Sequence, residues 1–185
     1  MNRYTIEVEN WRGANTNYAV MMDTPVFTGD QEPWLNVWYT MFDPFHGSFE
    51  VNTGDNFYVW VGTVPTSPAL GVVVSSGMSL LARLGSEGVP GIKTGTDFNM
   101  PNNNYLVGLA KVNHRGQVSP VGSVAPDNDQ SIQVTPKMRF FVTESQQRDG
   151  AVVDFSSGEG AGRFYATVTQ GEDNGSTVKY YDSFD

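Results

Sequence analysis

Residues 34–64 read WLNVWYTMFDPFHGSFEVNTGDNFYVWVGTV. In the first third, Trp34, Asn36, Trp38, Thr40 and Phe42 fall on one parity, and Leu35, Val37, Tyr39 and Met41 on the other. Period-2 alternation of aromatic and β-branched residues predicts a strand, here with apolar bulk on both faces. Asn56–Val64 repeats the pattern, with Phe57, Val59 and Val61 on one side and Tyr58 and Trp60 on the other. Three of the chain's four tryptophans lie in these two segments. Strands covered on both faces suit the interior of a sheet, so this pair is expected to form the centre of the core.

Outward from that pair the chain keeps one character. Tyr4–Glu9 and Asn17–Asp23 read as strands joined by an Asn/Gly turn, a first hairpin. Thr24–Pro33 reads as a proline-bounded loop, Asp43–Gly47 as the turn of an aromatic hairpin, and Ser48–Asn52 as a short strand. Gly71–Ser75 reads as a short buried strand. Ser79–Leu84 has helix-forming composition but is too short for an independent helix, which leaves one helical turn or another strand. Residues 85–104 carry four glycines, two prolines and Asn102–Asn104, the mark of a functional loop, a linker or a hidden strand. Tyr105–Val112 and Gln117–Val121 flank a turn at Asn113–Gly116, and Ser131–Thr135, Met138–Glu144 and Ala151–Phe155 are further strands. Arg163–Gln170 and Ser176–Asp182 flank GEDNG and read as a closing hairpin. Short strands with turn signals at intervals of roughly ten residues predict one all-β domain over residues 1–185, an antiparallel sandwich or flattened barrel of about ten to twelve strands.

The bulk properties narrow the function classes. The chain has 20 Asp+Glu against 11 Lys+Arg, a net charge of −9. That balance argues against a nucleic-acid surface, which needs clustered cations to track phosphates. No cysteine is present, which excludes disulfides and thiolate metal sites. No run of apolar residues is long enough for a membrane-spanning helix. The sequence opens directly on an alternating strand with no apolar leader, which points to the cytoplasm, although secretion after cleavage would leave the same sequence. Between Arg12 and Arg83 there is no Lys or Arg, while Asp23, Asp30, Glu32, Asp43, Glu50 and Asp55 are present. The aromatic region is therefore expected to be acidic, a surface for cations or for sugars aided by one.

No motif fixes a reaction, and no catalytic residue is assigned. Ser119 and the Ser75–Ser76 pair lack a nucleophile elbow. Gly158–Gly162 (GEGAG) precedes a strand-period segment rather than a helix, so it reads as a tight connection and not a phosphate loop. Glu50, Glu144 and Asp154 are acid/base candidates by location only. No cofactor is expected apart from calcium: Asp127, Asn128 and Asp129 offer the oxygen ligands it prefers, although Asx residues serve equally as structural turns. In composition alone the chain resembles small soluble microbial lectins and β-sandwich cytolysins, so no functional residue is carried over from them. Exposed rings on rigid turns mark interaction sites. Trp11 sits in a turn beside Asn10 and Gly13, and Phe45 and His46 between Pro44 and Gly47. The expected ligand face is Trp11, Asp43, Phe45 and His46 with Asn102 and Asn103 of the long loop. The reading is a non-enzymatic, lectin-like module for a carbohydrate or similar small polar ligand. The alternatives are a self-associating or toxin-like β protein, forming homo-oligomers through apolar strands, and a β-barrel enzyme working with carboxylates.

Overall fold

The computed structural model describes residues 5–10, 14–54, 56–69, 71–82, 91–96, 105–137, 139–153, 166–168 and 176–177. They form fifteen strand segments and no helix, and twelve of the segments are three residues or longer. In chain order these begin with β1 (Thr5–Glu9), β2 (Thr16–Met22), β3 (Val26–Phe27), β4 (Trp34–Asp43) and β5 (Ser48–Asn52). There follow β6 (Phe57–Thr63), β7 (Ser75–Ala82), β8 (Gly91–Lys93), β9 (Tyr105–Val112) and β10 (Val118–Val124). The last five are β11 (Ser131–Thr135), β12 (Phe140–Glu144), β13 (Val152–Val153), β14 (Ala166–Val168) and β15 (Ser176–Thr177).

A nine-stranded sheet runs β14-β12-β2-β4-β10-β9-β6-β7, with β13 also paired to β4. Two three-stranded sheets, β15-β1-β5 and β3-β11-β8, make the second layer. All pairings are antiparallel except that of β1 with β15, which is parallel. One buried cluster joins the layers. Ile6, Val8 and Val51 from one small sheet and Ile132 and Val134 from the other meet Val20, Met22, Trp38, Leu109 and Phe140 of the large sheet. The result is a sandwich with one large face and a divided opposite face.

The outer face of the large sheet is covered too, by irregular chain. Residues 71–74 and 150–152 bond to one another through Gly71 N–H to Val152 O (2.9 Å) and Val152 N–H to Val72 O (2.9 Å). Val37 N–H reaches Ala151 O (2.9 Å), which fastens this strap to β4. Beneath it lie Met21, Leu35, Val37 and Phe141, and beside them Trp60, Leu106 and Ala110. Cover on both sides is why β4 and β6 carry apolar residues on both parities.

The two aromatic strands are both interior to the sheet but are not neighbours, since β10 and β9 lie between them. The alternation in β4 is also interrupted. The β2–β4 register passes from Val20↔Tyr39 to Met21↔Val37, leaving Trp38 as the extra residue of a bulge. Trp38 and Tyr39 therefore both enter the inner core, their rings edge to face at 4.9 Å.

Several expected connections are corrected. β1 and β2 do not form a hairpin, because they belong to different sheets, and the same holds for β4 and β5. In each case a turn-rich stretch carries the chain from one layer to the other. The closing hairpin is also absent among the described residues: β14 pairs with β12, and β15 with β1. Ser79–Ala82 is strand, so no helical turn forms there, and residues 83–84 lie outside the described set. The expected Gly71–Ser75 strand is instead a loop over residues 71–74 with a single bridge, Val73 to Ala151, and Ser75 opens β7. The Thr24–Pro33 loop contains β3, and the 85–104 stretch hides β8. No helix among the described residues is long and apolar enough to cross a membrane.

Candidate functional site

Two crossings between the layers lie side by side at one end of the sandwich. The chain passes from β1 to β2 between Glu9 and Thr16, with Asn10, Ala14 and Asn15 described, and from β4 to β5 through Pro44–Gly47. Thr16 faces Asp43 in one sheet, and Glu9 faces Ser48 in the other, which brings the two crossings together. Asn10 ties them. Its backbone N–H donates to Gly47 O (2.9 Å), and its carbonyl accepts from His46 N–H (3.1 Å). Its side-chain Nδ2 donates to the carbonyls of Ala14 (2.9 Å), Asp43 (3.0 Å) and Pro44 (3.1 Å), while Oδ1 accepts from the Tyr18 hydroxyl (3.3 Å). A buried amide used this fully is what a polar group in the interior requires.

The Pro44–Gly47 turn closes on its own bond, Gly47 N–H to Pro44 O (2.8 Å), with His46 in the left-handed region at φ 58°. Phe45 N–H donates to Asn15 Oδ1 (3.0 Å), so the β1–β2 crossing holds the turn as well. A Cβ at Gly47 would collide with Asp43 Oδ1 and the Pro44 carbonyl, so only glycine fits there. The Phe45 and His46 rings lie against each other, with centroids 3.8 Å apart, and both residues are exposed, Phe45 at 46%. Phe42, on the preceding strand, is also exposed.

Of the expected ligand residues, then, Asp43, Phe45 and His46 share this corner. Phe45 and His46 face solvent, whereas Asp43 lies beneath the turn, 2% exposed, with no hydrogen-bond partner for Oδ2. Burial raises its carboxyl above the usual range, because the charged form loses its water. Trp11, Asn102 and Asn103 lie outside the described residues, as does Asp154 among the acid/base candidates. Glu50 is exposed on β5.

The Asp127–Asp129 turn joins β10 to β11 and clamps the end of β8. The Thr94 hydroxyl donates to Asp127 O (2.6 Å) and accepts from Gln130 N–H (2.9 Å), and Asp129 N–H reaches Gly95 O (3.2 Å). Asp127 Oδ2 accepts from Gln31 Nε2 (3.0 Å), and Asp129 takes the left-handed conformation at φ 52°. These bonds tie the turn to β8 and to Gln31, and the left-handed conformation at Asp129 is one that Asp tolerates in turns. No group of three His, Cys, Asp or Glu side chains able to hold a metal occurs among the described residues.

Sequence reasoning missed Lys111. It comes from β9, is 1% exposed, and lies with Nζ 3.9 Å from the Phe57 ring centroid and 5.9 Å from that of Trp38. Its amine donates to the carbonyls of Asn56 (3.3 Å) and Gly54 (3.5 Å). The cation suited to the acidic aromatic region is thus supplied by the chain itself, inside the core. A second cluster was also unforeseen. The His114 ring lies 4.6 Å from that of Tyr39, and Arg115 Nε donates to His114 Nε2 (3.3 Å). Arg115 faces Asp149 at 3.7 Å, and Asp149 Oδ1 accepts from Thr40 N–H (2.7 Å). Burial first, then the Arg115 charge, lower the His114 pKa, with Asp149 opposing them.

No protein-family model, curated protein or solved structure matches the chain. The class defined by the coordinates is therefore architectural: an all-β, two-layer antiparallel sandwich.

Proposed function

We propose that the protein is a non-enzymatic binding module that takes a carbohydrate, or another polar ligand of similar chemistry, on the Phe45–His46 corner. The observation that carries this reading is the exposed ring pair, tilted by 36° and in contact, on a turn fixed by Asn10, Asn15 and its own 2.8 Å bond. The C–H face of a sugar packs on an aromatic face, and its hydroxyls need donors and acceptors nearby. A turn already locked in place loses little entropy on binding, which favours recognition by a small surface.

A glycan array probed with wild-type protein, Phe45→Ala and Trp11→Ala tests the reading. Wild type should bind a defined subset of glycans, and Phe45→Ala should lose that binding while keeping its unfolding midpoint. Absence of wild-type binding, or equal binding by both variants, removes the carbohydrate reading of this corner.

A further inference from the structure

β7 is one edge of the nine-stranded sheet. It pairs with β6 on one side, and among the described residues no strand pairs with its other side. An open edge offers a row of backbone N–H and C=O groups to any strand that can lie beside it, and natural proteins blunt such edges with brevity, charge or proline. The other edges of this fold are blunted in that way. β3, β8, β14 and β15 are two or three residues long, β8 carries Lys93, and β5 carries Glu50 at its centre. β7 runs for eight residues, SSGMSLLA, with neither a charged residue nor a proline. A bulge at Gly77 bends its start, but residues 78–82 stay in unbroken register with 57–61 of β6.

The surroundings of this edge are uncharged and apolar as well. Residues 56–82 contain no charged side chain, in a chain with 20 Asp+Glu and 11 Lys+Arg. Met78 lies opposite Val61 and shares its face, yet is 76% exposed. Behind it Val59 and Val61 of β6, Val107 of β9 and Ile92 of β8 border an apolar space of about 470 Å³ between the layers, with Met78 at its mouth. Open backbone, a bare methionine and an apolar opening at one place suit a single occupant that brings a strand and apolar side chains but no charge. A second copy of β7 brings all of these. A net charge of −9 sets copies of the chain against one another, and this uncharged edge is where they can approach.

We infer that the β7 edge is a homodimer interface, in which β7 of two copies pair antiparallel about a twofold axis and join two large sheets into one. Such a contact is isologous, each edge meeting its own copy. A twofold that pairs antiparallel strands keeps like faces on the same side of the joined sheet, so both Met78 side chains lie together beside the mouths of the two apolar spaces. The interface is independent of the Phe45–His46 corner, since β10 and β9 separate β4 from β6 in the large sheet.

Sedimentation velocity of the full chain across a dilution series tests the assignment. Wild type should pass from monomer to dimer as its concentration rises. Ser79→Lys and Met78→Lys set like charges against each other at the joint, so each should stay monomeric with an unchanged circular dichroism spectrum. Ser79→Glu should be monomeric too, and an equimolar mixture of Ser79→Lys and Ser79→Glu should recover the dimer, which a misfolded variant could not do. The chain has no cysteine, so a bismaleimide should cross-link copies of Ser79→Cys and leave copies of Glu50→Cys, on the β5 edge, unlinked. Wild type that stays monomeric at every concentration overturns the interface. A dimer that survives both lysine variants, or that is linked through Glu50→Cys as readily as through Ser79→Cys, overturns its assignment to β7. Loss of the dimer in the lysine variants with no recovery in the mixture overturns the pairing of β7 with its own copy.

Discussion

The inner face of β6 and β9 is filled at one end and hollow at the other. At the filled end, Phe57 and Lys111 face the bulged Trp38, and the ammonium group is held by two carbonyls and a ring face. Toward the other end of the same strands, Val61 stands opposite Val107, and about 470 Å³ stays open above them. Strand type and pairing are the same at both ends. What differs is side-chain reach: an aromatic ring and a four-carbon stem span the distance to the second layer, and two β-branched side chains do not. The void is thus a local property of three valine positions, two on β6 and one on β9.

That contrast can be broken most strongly at the filled end. Trp38→Ala should lower stability by about 3–5 kcal/mol, as truncation of a large core side chain does, read from the urea midpoint at constant slope. The value should fall toward the lower bound, because the Trp38 Nε1 donor has no acceptor and its removal costs no bond. Lys111→Met keeps the stem and deletes the charge. It should cost about 1.5–3 kcal/mol, the worth of hydrogen bonds from a charged donor, and a neutral or stabilising result would mean that the carbonyls of Gly54 and Asn56 are satisfied without it.

At the hollow end the same experiment should return less. Val59 is half-buried and borders open space, so Val59→Ala should cost about 1 kcal/mol, near the transfer value of the methyl groups removed. A loss above about 3 kcal/mol, typical of a packed core, would show that the space is closed in solution.

The smallest effect concerns the corner and depends on pH. The Asp43 carboxyl is raised by burial, so its folded state holds a proton that the unfolded chain releases earlier. Its contribution is fully present below the ordinary carboxylate pKa and is lost as pH rises through the raised value. Asp43→Asn, which cannot ionise, should therefore raise the melting temperature at pH 7, with the gain shrinking to nothing in acid. A variant that is less stable than wild type at pH 7 would point to a charged Asp43 held by a partner.

The sequence made part of this legible, and the reasons differ by element. β4, β6 and β9 announce themselves because both parities are largely apolar when both faces are covered, whereas β10 is read only from the turn at Asn113–Gly116 that precedes it. β3 and β8 do not, since segments of two or three residues containing Gly91 and Lys93, or flanked by Pro25, carry no period. The crossings at residues 10–15 and 44–47 use the same Asn, Gly and Pro chemistry as a hairpin turn, so turn residues alone could not say which sheet the next strand would join. The corner was legible as exposed rings at Phe45 and His46. The place of Asp43 beneath them was not, because an acid at the end of a strand reads as solvated. Lys111 was hidden for the same reason: period counting treats a lysine as an outward residue.

The burial of Lys111 has a consequence for chemistry done to the folded protein. An acylating reagent needs a free amine with room around it. Lys93, exposed on β8, should react as readily as any surface amine, whereas Lys111 can react only when the strands around Trp38 and Phe57 part. Its modification rate, divided by that of an open lysine, is the fraction of time the core spends ajar. One side chain therefore serves as a clock for local opening, readable by mass spectrometry without any label added to the chain.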